Sequence, residues 1–193
     1  MTTIVFPGQG SQFIGMSKDF YDNFSIARNI FELISETSKI DIKDIIFNNP
    51  SDLLNQTKFT QLSIFCASIS IFKVLISETD LSELNIDFML GHSLGEYTAL
   101  TAANIISIED CVFLLKIRGE LMQNAFKPNQ SGMAAVIGIN CAKVEEIINS
   151  NNLKIEVAND NSPLQVVVSG IKKNLIDSEN FFKQSGAKKF VML

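Results

Sequence analysis

Side chains that bind metals or nucleic acids are scarce in this sequence of 193 residues. Its single histidine is His92, and its three cysteines, Cys66, Cys111 and Cys141, lie far apart. A zinc site needs several such ligands at close spacing, so we expect no metal site. The 16 basic residues are outnumbered by 21 acidic ones, which gives a net charge of −5. A nucleic-acid-binding protein requires a basic surface, so nucleic acid is excluded as a partner.

Long uncharged apolar runs are also scarce. The longest, residues 62–76, is short for a transmembrane span and is interrupted by serines and Lys73. We therefore predict a buried helix there and no membrane association. Residues 1–3 lead directly into a strand-like segment without a signal peptide, and the odd number of cysteines is typical of unpaired thiols in a reducing compartment. These features predict a cytoplasmic protein.

A loop with two glycines, Pro7-Gly8-Gln9-Gly10-Ser11-Gln12, follows the first predicted strand, residues 3–6. Phe13 occupies the position of the third glycine of a dinucleotide-binding loop, and no Gly-Lys-Ser/Thr sequence follows, which disfavours phosphate binding. The small residues instead predict a loop whose backbone amides can approach a ligand closely.

Gly91-His92-Ser93-Leu94-Gly95 carries the Gly-x-Ser-x-Gly pattern of a nucleophile elbow. An apolar run of strand length, residues 86–90, precedes it, and a segment rich in Ala and Leu, residues 96–105, is predicted to be a helix. In such an elbow the serine lies on a strained turn, and a side chain at either glycine would collide with neighbouring backbone. Ser93 is therefore a candidate nucleophile, and an ordinary strand–loop–helix turn is the alternative.

Arg118 lies on the apolar face of a helix predicted to begin at Ser107, where Ser107 and Asp110 have the spacing of a capping box. Arg28 and Arg118 are the only arginines among the 16 basic residues. A guanidinium can grip a carboxylate through two parallel hydrogen bonds, whereas lysine cannot. Arg118 is therefore a candidate to bind a substrate carboxylate. The alternatives are an internal salt bridge and a side chain that reaches solvent.

Helical periodicity also covers residues 17–38, as two helices, and residues 60–76, as one buried helix after a break at residues 50–52. Gln61 lies at the amino end of that buried helix. Its polar side chain beside a buried element indicates either a cap-region residue or the lining of an active site.

The pattern changes after residue 128, where strands and helices alternate in the order β-α-β-β-α-β. The strands are predicted at residues 133–139, 155–158, 164–169 and 189–193, and the helices at 142–150 and 174–184. This order is that of a ferredoxin-like domain. We therefore predict an α/β protein with a large domain over residues 1–128 and a ferredoxin-like small domain over residues 129–193.

Several motifs resemble the signatures of malonyl-CoA:acyl carrier protein transacylases. They are Phe6-Pro7-Gly8-Gln9-Gly10-Ser11-Gln12, Gly91-His92-Ser93-Leu94-Gly95-Glu96-Tyr97, Arg118-Gly119-Glu120-Leu121-Met122-Gln123, Gly132-Met133-Ala134-Ala135, and a segment from Asn161 to Gly170. The resemblance follows the whole chain in order. It implies an α/β-hydrolase-like large domain, incomplete at its carboxyl end, that carries the small domain as an insertion, as in stand-alone bacterial enzymes of fatty acid synthesis.

The resemblance implies acyl transfer in two steps. Ser93 would attack the thioester of malonyl-CoA, and the phosphopantetheine thiol of acyl carrier protein would then accept the malonyl group from the serine. The backbone amides of Gln9 and Leu94 would form the oxyanion hole, Arg118 would pair with the malonyl carboxylate, and Gly91, His92 and Gly95 would shape the elbow. Gln61, Asn161 and Gln165 match substrate-binding positions. Coenzyme A enters as part of a substrate, and no cofactor is implied.

One feature of the family pattern is missing from this sequence. The general base of the family is a histidine in a motif beyond the small domain, which this sequence does not reach. Neighbouring residues on a tight turn project apart, so we expect His92 to pack behind the elbow and not to serve as the base. The chain is therefore expected to be a fragment with little malonyl transfer. The alternatives are a thioesterase or esterase with the same elbow, and a remnant that binds acyl carrier protein or coenzyme A without turnover.

Overall fold

The structure, a computed structural model, describes residues 1–79, 85–127 and 129–193. These residues form two compact units, Met1–Ala125 and Phe126–Leu193. The predicted boundary between the large and the small domain falls at residue 128, which lies outside the described residues. The exact division of the chain into these two domains therefore stays a prediction.

The first unit combines two parallel strands with several helices. In chain order its elements are β1 (Thr2–Phe6), α1 (Lys18–Asn23), α2 (Ser25–Ser38), α3 (Ile42–Asn48), a 3-10 helix (Pro50–Asn55), α4 (Thr57–Glu78), β2 (Ile86–Gly91), α5 (Gly95–Ala102) and α6 (Ile108–Asn124). The last residue of β1, Phe6, pairs with the last residue of β2, Gly91. The segments that follow the two strands therefore begin side by side at the same edge of the sheet.

The central helix of the first unit is α4, which is buried on nearly all sides along its first half. Among the described helices it is the one whose length and composition would suit a membrane span, but 67% of its most apolar stretch is buried inside the protein. This burial agrees with the buried helix that the sequence predicted. The helix begins at Thr57, before the predicted start at residue 60. The prediction missed these residues because Thr57 and Lys58 are polar and do not extend the apolar run.

Polar side chains cap two described helices of the first unit at their amino ends. Ser107 caps α6, since its hydroxyl accepts a hydrogen bond of 3.0 Å from the Asp110 amide, as the capping-box spacing predicted. Asp41 caps α3 in the same way by accepting from the Asp44 amide at 2.9 Å. The helix α3 was not predicted from the sequence, although the spacing of Asp41 and Asp44 carries the same signal.

The second unit contains β3 (Ser131–Ile137), α7 (Cys141–Ser150), β4 (Ile155–Ser162), β5 (Gln165–Ile171), α8 (Lys172–Gln184) and β6 (Lys189–Met192). Its strands form one antiparallel sheet in the order β4-β5-β3-β6. This order confirms the predicted ferredoxin-like arrangement. The strand β4 is longer than predicted because two shifts of register keep its polar carboxyl end paired with β5.

The three cysteines are free thiols in different surroundings. Burial raises the pKa of the Cys66 thiol far above its usual value. Burial also raises the pKa of Cys111 to about 12, against the opposing effect of a hydrogen bond with Thr101. The pKa of Cys141, which is only half-buried, is raised by desolvation and by the nearby acidic side chains of Asp160 and Glu145.

We expect iodoacetamide to label Cys141 well before Cys66 and Cys111 in the folded protein. The thiolate is the reactive form, so a raised pKa slows alkylation at neutral pH, and burial blocks access to the other two thiols. Labelling of Cys141 should therefore accelerate as the pH rises toward its pKa. Peptide mass spectrometry with and without urea provides the measurement, and rapid labelling of Cys66 without urea would contradict the expectation.

Candidate active site

Ser93 occupies a strained turn between β2 and α5. Its φ of 55° lies in the left-handed region, which residues other than glycine adopt rarely. The Gly95 amide donates a hydrogen bond to the His92 carbonyl at 2.9 Å, and the Glu96 amide donates to the Ser93 carbonyl at 3.1 Å. The chain therefore passes directly from strand to helix, and Ser93 is exposed at the start of α5. This is the geometry of a nucleophile elbow.

Three glycines allow backbone segments to pack closely around this turn. A Cβ atom on Gly91 would lie 1.9 Å from the carbonyl carbon of Gly95, and one on Gly95 would lie 2.3 Å from the carbonyl oxygen of Phe6. A Cβ atom on Gly8 would lie 2.5 Å from the carbonyl oxygen of His92. The loop of residues 7–12 therefore packs against the elbow at a distance that only glycine permits.

The backbone amides of Gln9 and Leu94 have no hydrogen-bond acceptor within the part of the chain that the structure describes. Leu94 follows Ser93 directly, and its side chain is fully buried, which anchors this amide. Gln9 follows Gly8, which packs against the elbow. Free amides beside a nucleophile can stabilise negative charge on a carbonyl oxygen during attack.

The guanidinium of Arg118 reaches the candidate nucleophile. Its Nη2 donates to Ser93 Oγ at 3.0 Å, and its Nη1 donates to Gln61 Oε1 at 2.5 Å. The central carbon of the guanidinium, Cζ, lies 5.7 Å from the centre of the Tyr97 ring, within range of a cation–π contact. The salt bridges between described residues do not include Arg118, so the alternative of an internal salt bridge finds no support there.

Gln61 is fully buried in α4, one turn after the helix begins. Its Oε1 accepts from Arg118, and its Nε2 donates to the sulfur of Met122 at 3.2 Å. The side-chain amide is therefore fixed from both ends and orients the guanidinium. The sequence left Gln61 as either a cap-region residue or part of the lining of an active site. The side chain lies beside Arg118, inside the helix and not at its cap.

His92 lies beside the nucleophile in sequence but is not hydrogen-bonded to it. Its Nδ1 would be 2.7 Å from a Cβ atom on Gly8, so the imidazole lies against the loop of residues 7–12. The residue is exposed, whereas the sequence predicted that it would pack behind the elbow. Within the described residues, the side-chain hydrogen bond of Ser93 Oγ is the one with Arg118.

The remaining predicted site residues, Asn161 and Gln165, lie in the second unit. Asn161 is exposed near the end of β4, and Gln165 is exposed at the start of β5, opposite Ser162. Their role in substrate binding stays a prediction. Among the described residues there is no group of three or more His, Cys, Asp or Glu side chains that could hold a metal ion.

Two residues that contact this site, Tyr97 and Thr57, had no role predicted from the sequence. Tyr97 lies four residues after Ser93, and Thr57 lies four residues before Gln61. Thr57 and Gln61 both lie in α4, where a spacing of four places side chains on the same face, so this spacing was an available signal for Thr57. Ser93 precedes α5, so no helical spacing links it to Tyr97. Tyr97 contacts Arg118, and Thr57 contacts the side chain of Gln9.

Comparison with known proteins places this site in a family. The acyl transferase domain family matches residues 3–192. A malonyl CoA-acyl carrier protein transacylase from Staphylococcus aureus (strain MRSA252) is 39% identical over 195 residues, which cover all of this chain and 61% of the relative. The transacylase of the same description from Bacillus subtilis (strain 168) is 33% identical over 192 residues, which cover 98% of this chain and 59% of the relative.

Solved structures show the same relationship. An acyl-carrier-protein-S-malonyltransferase from Bartonella henselae superposes with a TM-score of 0.90 at 38% identity and covers all of this chain, which in turn covers 62% of that protein. A structure described as a type II PKS acyl-carrier protein in complex with its malonyl-transacylase matches with a TM-score of 0.86 at 32% identity, over 99% of this chain and 62% of the other. The chain thus spans about 60% of the length of these relatives.

These findings confirm the α/β fold class and the family resemblance that the sequence predicted. The family matches nearly every residue, from the first strand to the last strand of the second unit. The chain therefore belongs to the acyl transferase domain family.

Proposed function

We propose that this chain carries the nucleophile of a malonyl-CoA:acyl carrier protein transacylase. The observation that supports this most strongly is the contact of Arg118 with Ser93 Oγ at 3.0 Å. A malonyl group differs from an acetyl group by a free carboxylate close to the reacting carbonyl. A malonyl group on Ser93 would therefore have its carboxylate within reach of the Arg118 guanidinium, which Gln61 and Tyr97 hold in place.

The proposed reaction forms and breaks one acyl–serine ester. Ser93 Oγ attacks the thioester carbonyl carbon of malonyl-CoA, and the amides of Gln9 and Leu94 bind the resulting oxyanion. The C–S bond then breaks, and coenzyme A leaves as a thiol with the proton that Ser93 gives up. The phosphopantetheine thiol of acyl carrier protein attacks the malonyl ester in the same way and restores the Ser93 hydroxyl. Within the described residues no carboxylate or imidazole is hydrogen-bonded to Ser93, so the proposal assigns the proton transfer to no residue described here.

The proposed partners follow from the same chemistry. Malonyl-CoA is the acyl donor and acyl carrier protein is the acceptor, in fatty acid biosynthesis. The names of the relatives and the solved complex with an acyl-carrier protein support this assignment. We place the protein in the cytoplasm, because unpaired, buried thiols such as Cys66 and Cys111 suit a reducing compartment.

We expect incubation of the protein with malonyl-CoA to give a single malonyl adduct on Ser93. Intact mass spectrometry followed by peptide mapping detects and locates the adduct, and Ser93→Ala should form none. Addition of acyl carrier protein bearing phosphopantetheine should remove the adduct and malonylate the carrier. An adduct on another residue would contradict the role of Ser93. Release of free malonate without malonylated carrier would favour a thioesterase.

A further inference from the structure

The loop of residues 7–12 is tied to the segment that begins α4. The side-chain amide of Gln9 donates through Nε2 to Thr57 Oγ1 at 3.2 Å. The side-chain amide of Gln12 donates through Nε2 to Asn55 Oδ1 at 3.3 Å. Two amide side chains of one loop therefore reach two acceptors that lie two positions apart in sequence.

The other side-chain hydrogen bonds of this loop stay within it. The Ser11 hydroxyl donates to the Gly8 carbonyl at 2.8 Å, and the Gly10 amide donates to Gln12 Oε1 at 2.9 Å. These bonds set the internal shape of the loop but not its position. Among the described residues, the bonds to Thr57 and Asn55 are the side-chain bonds that fix the loop to another segment of the unit.

The segment that receives these bonds is itself held by several hydrogen bonds. Asn55 Nδ2 donates to Asp52 Oδ1 at 2.7 Å, and the Leu54 amide donates to Asn49 Oδ1 at 2.8 Å. The buried hydroxyl of Thr60 donates to the Leu54 carbonyl at 2.6 Å. The acceptors for the loop are therefore fixed relative to the first turn of α4.

The same end of α4 also holds Arg118. Thr57 and Gln61 are four residues apart, so their side chains lie on one face of the helix. Thr57 contacts the loop that carries the Gln9 amide, and Gln61 contacts the guanidinium. One rigid helix end therefore sets the position of the Gln9 amide and of Arg118 with respect to each other.

We propose that Thr57 and Asn55 are positioning residues for acyl transfer. Through the side chains of the loop, they hold the backbone amide of Gln9 where negative charge develops on the acyl oxygen. The proposal rests on the proposed function, in which the Gln9 amide is an oxyanion donor. Because such a donor acts chiefly in the transition state, loss of its position lowers kcat and leaves KM nearly unchanged. The loss is the same for malonyl and acetyl groups, because the oxyanion is common to both.

Thr57→Val tests this proposal, since it removes the hydroxyl and retains the branched side chain. We expect kcat for acyl transfer to fall about threefold to tenfold, in line with the loss of one partly exposed hydrogen bond, with KM unchanged. Thr57→Ser should restore the activity, because it keeps the hydroxyl. Thr79→Val, directly after the other end of α4, is the matched control and should have no effect, since among the described residues its hydroxyl donates to the nearby Leu75 carbonyl. An equal kcat in Thr57→Val, or a loss that falls on KM alone, would overturn the catalytic role.

Hydrogen exchange of residues 8–12 provides a readout that does not depend on the reaction. We expect faster exchange in Thr57→Val, and faster still in the double variant Thr57→Val/Asn55→Ala, with the rest of the first unit unchanged. Exchange equal to that of the unmodified protein would overturn the tether, whatever the activity. If exchange is faster in the variants but the unmodified protein never acylates Ser93, the tether stands. The proposed function and the catalytic role of the tether are then rejected.

Discussion

In a form of the protein supplied with a general base, Arg118→Lys is expected to slow malonyl transfer to Ser93 about thirtyfold and to change acetyl transfer less than about threefold. In the structure one guanidinium nitrogen donates to Ser93 Oγ and the other to Gln61 Oε1. A malonyl carboxylate on Ser93 would meet a planar fork that Gln61 has already oriented. Lysine places one compact charge in the same region and cannot form two parallel bonds to a carboxylate.

The selectivity for the acyl group is the measurement that decides this role. Rapid-quench mass spectrometry gives the rate of Ser93 acylation from malonyl-CoA and from acetyl-CoA for each variant. The matched control is Arg28→Lys, the same change at the only other arginine, whose guanidinium donates to the Tyr21 and Asp22 carbonyls at 2.8 and 3.0 Å. Arg28→Lys should leave both rates unchanged. Equal losses for malonyl and acetyl groups in Arg118→Lys would show that Arg118 supports the structure of the site and not the recognition of a carboxylate.

The elbow could be predicted from the sequence because its geometry is local. The spacing of Gly91, Ser93 and Gly95, with an apolar run before it and a helical segment after it, places all the needed information within residues 86–105. The small domain was predicted for a similar reason, since short apolar runs, such as residues 133–137 and 166–168, mark its central strands. The polar end of β4 was missed, because pairing with β5, and not an apolar pattern, keeps residues 159–162 in the sheet.

The contacts of Arg118 could not be predicted, because they join distant parts of the chain. Apolar periodicity placed this residue on the inward face of α6, but its partners lie 25 residues away at Ser93 and 57 residues away at Gln61. Those contacts depend on how α4, α5 and α6 pack, which no short pattern encodes. The tether from Gln9 to Thr57, 48 residues away, was missed for the same reason.

Gly91→Ala is expected to disrupt the elbow and to abolish acylation of Ser93. Gly91 does not have a positive φ, so alanine suits its backbone torsions and the cost is one of contact alone. The added Cβ would lie 1.9 Å from the Gly95 carbonyl carbon, 2.0 Å from its oxygen and 2.1 Å from the Glu96 nitrogen. All three are backbone atoms, so relief requires β2 and α5 to separate.

This separation should lower the free energy of unfolding by more than about 4 kcal/mol, above the range usual for an overpacked core, because rigid backbone and not flexible side chains must move. Urea unfolding followed by circular dichroism measures the loss, beside the acylation assay for Ser93. Gly132→Ala is the matched control, since it changes another strand glycine whose new Cβ would meet, among the described residues, Leu175 Cδ1 and Met192 Cε, both at 3.5 Å. We expect that variant to unfold and react like the unmodified protein. Gly91→Ala with unchanged stability would mean that the elbow is far more compliant than its contacts indicate.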